Sequence, residues 1–170
     1  MRKLSEYIEI GRINNTHGVH GEMKVEVWAD DISEFLSLSS VYSESGEEIK
    51  ITSSRRADRI AVVKFEGISN PEEGARLKGK HIYAKRCDLT LPEGRYYICD
   101  LIGLPVFNID TNEKIGEICD ILEKPASFVY TVKTEKGEFM IPDVEEFIKK
   151  VDIYEGMYIK VIEGLIDGQV

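Results

Sequence analysis

The chain has 170 residues, of which 22 are Lys or Arg and 31 are Asp or Glu, for a formal net charge of -9. An apolar content of 42% is typical of a globular protein and excludes a disordered chain. The apolar runs are too short for a transmembrane helix or a signal peptide, and the acidity disfavours a general nucleic-acid binder, so we expect a soluble, reduced, cytoplasmic protein.

The first half of the chain reads mainly as strands. Polar and apolar residues alternate over Glu22–Val27, the period-two pattern of a half-buried strand. Residues rich in Ile, Val, Tyr and Phe predict further strands over 7–13, 48–52 and 60–65. Residues 43–46 and 56–59 predict hairpin turns.

One short helix is well specified, over residues 70–79. Asn70 is a good N-cap, and Pro71 takes the first helical position, where its missing N–H costs nothing. Glu72 and Glu73 complement the positive end of the helix dipole, and Gly79 ends the segment.

The second half also predicts strands, over 104–107, 114–122, 128–133, 138–141 and 157–161. Between residues 142 and 151, apolar side chains recur at the spacing of a short amphipathic helix: Val144, Phe147, Ile148 and Val151. The elements together predict an all-β fold, with two small β-barrels in tandem joined by a short linker, and with short helices.

The charge is divided unevenly between the halves. Residues 1–90 carry 14 basic and 15 acidic side chains, a net of -1, whereas residues 91–170 carry 8 and 16, a net of -8. A proline and a glycine after the last strand-like run predict a linker at 91–95. We therefore predict an N-terminal domain at 1–90 and a C-terminal domain at 96–170, with different partners.

The sequence offers no recognisable catalytic, cofactor or metal site. His17 and His20 lack a third ligand nearby, and the cysteines Cys87, Cys99 and Cys119 form no C-x-x-C pair, so we interpret them as small core residues. The glycines at 11, 18 and 21 lack the spacing of a phosphate loop, and no serine lies in a nucleophile elbow. No cofactor or metal is predicted.

Three segments remain as candidates, each with a plain structural alternative. Residues 11–22 form a glycine-rich joint between strands, either functional or only a tight loop with positive φ at Gly18 and Gly21. Tyr96 and Tyr97 either expose one ring as an interaction anchor or both pack against the seam between the two predicted domains. Arg55, Arg56 and Arg59 form either a small RNA-facing patch, together with later basic residues, or a hairpin tip, which is the favoured interpretation.

Four motifs resemble the bacterial ribosome maturation factor RimM family. Residues 16–25, THGVHGEMKV, are similar to its N-terminal H-G-hydrophobic-basic-G-E signature, and YYICDLIG at 96–103 resembles the start of its second domain, the PRC-barrel. The I-P stretch with its following V-D at 138–152 and the E-G-L at 163–165 resemble its later motifs, in the same order. Two positions depart from the pattern: His20 replaces a basic residue, and the segment 124–128 with Pro125 replaces G-A-x-D.

The resemblance implies a non-enzymatic assembly factor for the small (30S) ribosomal subunit. It would help to assemble the subunit head, support 16S rRNA processing and bind the head protein S-nineteen. The residues implied in binding that protein are Tyr96, Tyr97, Asp100, Leu101 and Gly103. Those in the signature loop, where a contact with rRNA or the subunit is expected, are Arg12, His17, Gly18, His20 and Gly21. Arg55, Arg56 and Arg59 remain a candidate basic patch on their charge alone. We expect a monomer without a membrane partner; the alternatives are a small-molecule reductase and a PRC-barrel adaptor of another complex.

Overall fold

The structure is a computed structural model that describes residues 2–28 and 32–161. The chain divides into two compact units, the first comprising Ser5–Glu93 and the second comprising Gly94–Val170 with Met1–Leu4. Arg2 belongs with the second unit because its guanidinium donates hydrogen bonds to the carbonyls of Asp100, at 2.6 Å, and Ile102, at 2.5 Å. The boundaries 1–90, 91–95 and 96–170 stay predictions.

The first unit is a closed six-stranded barrel with strand order β1-β2-β5-β4-β3-β6. Within the described residues its elements are β1 (Tyr7–His17), β2 (Glu22–Val27), α1 (Ile32–Leu36), β3 (Ser40–Tyr42), β4 (Glu48–Ala57), β5 (Ile60–Phe65), α2 (Pro71–Ala75), β6 (His81–Lys85) and a 3₁₀ turn (Arg86–Asp88). The alternation in β2 works as predicted, since Met23 and Val25 are fully buried while Lys24 and Glu26 face outward.

The second unit is a six-stranded sheet with the order β10-β9-β8-β7-β12-β11. Its elements are α3 (Ile98–Leu101), β7 (Pro105–Asn108), β8 (Lys114–Glu123), β9 (Phe128–Thr134), β10 (Gly137–Pro142), β11 (Ile148–Asp152) and β12 (Gly156–Ile159). Strand β12 runs parallel to β7, whereas the other neighbours are antiparallel. Its core contains Leu104, Ile118, Val132 and Ile141.

The predicted all-β class with two small β-barrel domains in tandem and short helices is confirmed. Every predicted strand is present, and several extend further than expected, such as β4, which reaches Ala57. The helix prediction is right at its start, because the Asn70 side chain accepts a hydrogen bond from the Glu73 amide at 2.9 Å. The α-helix ends earlier, at Ala75, and continues as turns.

The helix predicted between residues 142 and 151 is wrong. The segment makes a single turn, in which the amides of Phe147 and Ile148 both donate to the Val144 carbonyl at 3.0 Å, and then enters β11. A helix this short is marginal in isolation. Strand β12 offers a neighbouring ladder, in which Ile148 pairs with Ile159, and this supplies backbone hydrogen bonds that an isolated helix would have to form alone.

The interpretation of the cysteines as core residues is also wrong, because all three are exposed. Cys119 lies on β8 one position beyond the buried Ile118, so it faces outward. Cys87 lies in the 3₁₀ turn and Cys99 in the first turn of α3. No helix within the described ranges is long and apolar enough to cross a membrane. The E-G-L motif at 163–165 lies outside the described residues.

Candidate functional site

The glycine-rich joint is the loop of the β1–β2 hairpin, here called the hairpin loop (residues 17–22). His17 pairs with Glu22 at its base, and Gly18 and Gly21 have φ angles of +65° and +74°, as the loop interpretation predicts. The backbone carbonyl of His20 accepts a hydrogen bond from the Lys64 ammonium group on β5. The loop is therefore a defined structure that displays the exposed His20 side chain.

Helix α2 packs against this hairpin. A Cβ atom on Gly21 would lie 2.9 Å from the backbone nitrogen of Asn70, the N-cap residue of α2. Likewise a Cβ on Gly74, inside α2, would lie 2.7 Å from the Met23 sulfur on β2. The hairpin loop and α2, which the sequence presents as unrelated segments, thus support each other.

The three arginines of the predicted basic patch point to different places. Arg55 on β4 reaches across to the hairpin loop, where its guanidinium lies 3.5 Å from the Glu22 carboxylate. The Nε atom of Arg56 donates to the Asp58 carbonyl in the adjoining turn, at 3.0 Å, and Arg59 is exposed at that turn. Neighbouring strand residues face opposite sides, so only Arg55 is brought next to the hairpin loop.

Arg12 does not lie in the hairpin loop. It faces outward from the middle of β1, directly opposite Glu26 on β2 and His81 on β6. His81 accompanies Trp28 in an edge-to-face contact with ring centroids 5.5 Å apart, and its Nδ1 atom is hydrogen-bonded to the Glu9 carboxylate. We call this surface, comprising Glu9, Arg12, Trp28 and His81, the aromatic face.

Sequence reasoning did not single out Trp28 or His81. A signal for Trp28 was present, because it follows Lys24 and Glu26 at intervals of two and so shares their outward phase. The Trp28 amide donates to the Ile10 carbonyl at 2.9 Å, which extends the ladder one residue beyond β2. The contact with His81 depends on pairing of β1 with β6, some 70 residues apart, and no local pattern predicts it.

In the second unit the tyrosine segment (residues 96–103) presents Tyr96 at its surface. The Tyr96 side chain is 37% exposed, and its hydroxyl donates to the Val151 carbonyl at 3.4 Å. Tyr97 is half-buried and occupies the N-cap position of α3. The two neighbouring rings therefore have different environments, and Tyr96 is the more accessible of the two.

The other predicted residues of this segment hold it in place. Asp100 is 2% exposed, and its amide donates to the Tyr97 carbonyl at 2.9 Å. Leu101 is part of the core of the second unit. Gly103 adopts a φ of +75°, and its amide donates to the Ile118 carbonyl on β8 at 2.7 Å. The exposed side chains of the segment are those of Tyr96, Ile98 and Cys99.

Tyr130 on β9 is buried and lies within electrostatic reach of Tyr96. Burial is the main reason why the pKa of Tyr130 is raised far above its usual value, and the neighbouring Asp143 carboxylate and Tyr96 raise it further. The phenol is consequently neutral and acts as a hydrogen-bonding group toward Asp143.

Both units match known protein families. Residues 8–89 match the RimM N-terminal domain, and residues 98–162 match the RimM PRC barrel domain. The ribosome maturation factor RimM of Caldicellulosiruptor bescii is 38% identical over 170 residues, covering 96% of this chain and all of that protein. The chain belongs to the RimM family. The Clostridioides difficile member, also named ribosome maturation factor RimM, is 34% identical over 172 residues and covers 98% of this chain and 100% of its own length.

Solved RimM structures are more distant. A 16S ribosomal RNA processing protein RimM from Pseudomonas aeruginosa is 23% identical and covers 92% of this RimM-family chain and 98% of its own, with a TM-score of 0.45. The N-terminal domain of RimM from Thermus thermophilus is 24% identical and covers 51% of this chain and 98% of its own, also with a TM-score of 0.45.

Proposed function

We propose that this RimM-family chain is a non-enzymatic assembly factor that binds the immature 30S subunit, helps to assemble its head and supports 16S rRNA processing. The observation that carries the proposal is the match to proteins named ribosome maturation factor over 96% of the chain at 38% identity. Binding and positioning require no catalytic residue, cofactor or metal. The chain would act as a monomer in the cytoplasm, where ribosomes are assembled.

The second unit is proposed to bind the head ribosomal protein S-nineteen. The second unit, Gly94–Val170 with Met1–Leu4, carries 10 basic and 15 acidic side chains, a net of -5, and such a field attracts a basic ribosomal protein. Tyr96 supplies an exposed aromatic anchor, and Tyr97 contributes at its edge. Asp100, Leu101 and Gly103 support the segment from within.

The first unit is proposed to face rRNA. The first unit, Ser5–Glu93, carries 12 basic and 16 acidic side chains, a net of -4, so its contact with phosphate depends on local cations and not on its net charge. The hairpin loop displays His17, Gly18 and His20, and Gly21 anchors that loop to α2. Arg55 adds a cation beside the loop, and Arg56 and Arg59 add two at the neighbouring turn.

The experiment is co-sedimentation of the full chain with immature 30S subunits, mature 30S subunits and complete ribosomes. We expect binding to the immature particles and little to complete ribosomes. Equal binding to all three, or binding to none, would contradict the proposal.

A second assay would measure direct binding to purified S-nineteen for the wild type and for Tyr96→Ala combined with Tyr97→Ala. A hot-spot tyrosine costs about 2 kcal/mol or more on truncation, so affinity should fall at least about thirtyfold. Tyr154→Ala is the matched control, because Tyr154 is an exposed tyrosine of the same unit. Affinity for S-nineteen should also fall between low and moderate salt; a flat salt dependence would contradict the proposed electrostatic attraction.

A thermal melt controls for folding of the tyrosine variant. Unfolding of Tyr96→Ala combined with Tyr97→Ala would instead assign the two tyrosines a packing role.

A further inference from the structure

Trp28 is the single tryptophan of the chain, and the structure leaves it 49% exposed. It is not a loosely attached loop residue. Its amide is hydrogen-bonded to Ile10, which sets the ring on the outer side of the barrel in phase with Lys24 and Glu26. Its ring also contacts His81 edge to face. An aromatic side chain that is fixed in place and still half-exposed is suited to hold a ligand.

Among the described residues, an anionic ligand at Trp28 would meet an unpaired cation in Arg12. The ladders of this face hold three carboxylates: Glu9 is hydrogen-bonded to His81, Glu26 accepts from the Asn14 side chain at 3.2 Å, and Glu22 lies 3.5 Å from the Arg55 guanidinium. The exposed cations Arg12 and Lys24 lie in the same ladders, and in the part of the chain that the structure describes neither forms an ion pair. Arg12 is the nearer of the two to Trp28, because it pairs with Glu26, two residues before the ring.

The apolar surroundings of Trp28 do not suit a protein partner. A protein hot spot is normally a cluster of anchors in a packed patch. Among the described residues of the first unit, the other exposed large hydrophobic residue is Val19. Val19 lies in the hairpin loop, at the far end of the hairpin from the Gly11–Val27 pair, about 20 Å away at about 3.3 Å per residue. A single exposed aromatic ring with a cation beside it is instead an arrangement that stacks bases of single-stranded nucleic acid.

We propose that the aromatic face of Glu9, Arg12, Trp28 and His81 is a base-stacking site for single-stranded RNA. A base stacks on the Trp28 indole, and Arg12 contacts the adjoining phosphate. His81, held by Glu9, sets the ring orientation. The proposal rests on the proposed function for the source of the RNA, an unpaired segment of rRNA, but its chemistry is independent of S-nineteen binding.

The test uses the intrinsic fluorescence of Trp28, which no other tryptophan obscures. The full chain is titrated with a short oligouridylate, which has no secondary structure, at low salt. We expect saturable quenching of the fluorescence. Absence of quenching over the whole titration would overturn the proposal, and so would quenching by purified S-nineteen together with none by RNA.

Substitutions then assign the residues, with affinity read from the anisotropy of labelled oligouridylate. Trp28→Ala should weaken binding about fivefold to a hundredfold, the range for loss of one stacked base, whereas Trp28→Phe retains most of the affinity. Arg12→Gln should reduce the slope of log affinity against log salt by about 0.7, the value for one phosphate of a single strand. Tyr154→Ala, which removes an equally exposed aromatic ring from the second unit, is the control and should bind like the wild type.

The two failures can be told apart. If the Trp28→Ala protein has a normal melting temperature and unchanged affinity for RNA, the base-stacking proposal is contradicted, whatever the co-sedimentation shows. If Trp28→Ala unfolds, the Arg12→Gln salt slope decides, and an unchanged slope would overturn the proposal. Loss of 30S co-sedimentation by the wild type, with RNA quenching intact, would sink the proposed function alone.

Discussion

The ring of Phe107 on β7 lies directly over Gly156 at the start of β12. A Cβ atom at Gly156 would stand 2.5 Å from Cε2 of that ring and 2.8 Å from the Pro105 carbonyl oxygen. Phe107 also stacks on Tyr158 with centroids 5.4 Å apart, so the ring has little room to withdraw. The absence of a side chain at Gly156 is what lets β12 run alongside β7.

Gly156→Ala is therefore expected to destabilise the second unit by about 1–3 kcal/mol, the usual cost of overpacking. Urea unfolding measures the change. Phe107→Leu combined with Gly156→Ala should lose less than the sum of the two single variants, because the smaller side chain can yield to the new methyl group. If the losses in unfolding free energy of the two single variants add up to that of the double variant, the contact between Phe107 and the new methyl group is not the cause of the destabilisation.

Gly18 and Gly21 provide a matched pair in the hairpin loop. Both have positive φ, but a Cβ at Gly18 meets nothing closer than the Glu22 carboxylate at 4.0 Å, whereas one at Gly21 meets the Asn70 backbone at 2.9 Å. Gly18→Ala should cost about 1–2 kcal/mol from backbone strain alone. Gly21→Ala should cost about 1–3 kcal/mol more. Equal losses in thermal or urea unfolding would contradict the packing of α2 on this loop.

The N-terminus of α2 should make stability depend on acidic pH. The pKa of Glu73 is below its usual value of 4.5, chiefly because the Ser69 amide donates a hydrogen bond to its carboxylate. Hydrogen bonds with Asn70 and the positive charge of Arg76 lower the pKa further, whereas burial raises it. A lowered folded-state pKa gives a stabilisation that is complete above 4.5 and is lost as the pH falls below it.

Glu73→Gln should consequently be less stable than the wild type near neutral pH, and the difference should narrow as the medium is acidified. Melting temperatures of both proteins between about pH 3 and about pH 7 would measure this. Glu72→Gln is the neighbouring control, and a constant gap between Glu73→Gln and the wild type would refute the assignment.

The exposure of the cysteines predicts their reactivity. Cys87, Cys99 and Cys119 are all exposed, so an aromatic disulfide reagent should modify three thiols in the native protein, as many as in denaturant. If fewer thiols react in the native protein than in denaturant, at least one cysteine side chain is buried. Single Cys→Ser variants would identify which one.

The strands could be predicted where alternation or β-branched runs coincide with burial, as in β2 and β5. The Asn70 cap could be predicted for a similar reason, because its hydrogen bond spans only three residues. Strands β3 and β6 were missed: β3 has only three residues, and it meets β6 at the single pair Tyr42 and Tyr83. That pairing closes the barrel through the tertiary fold.

The candidate sites differ in the same way: some are formed by one continuous segment, and one is formed by residues that are far apart in the sequence. The tyrosine segment and the hairpin loop were recognisable as continuous motifs. The aromatic face was not, because Glu9 on β1, Trp28 just beyond β2 and His81 on β6 come together only in the folded barrel. The segment at 142–151 failed for a related reason, since its apolar spacing suits a turn and a strand as well as a helix.

The grouping of Arg2 with the second unit bears on how the protein can be dissected. Residues Ser5–Glu93 form an insertion in the sequence of the second unit, whose parts lie on both sides of it. A fragment that begins at residue 94 would lack the guanidinium that bridges the carbonyls of Asp100 and Ile102, next to the tyrosine segment. A binding assay on that fragment would therefore underestimate the contribution of Tyr96 and Tyr97 to affinity. The second unit should instead be isolated as a circularly permuted chain that keeps residues 1–4.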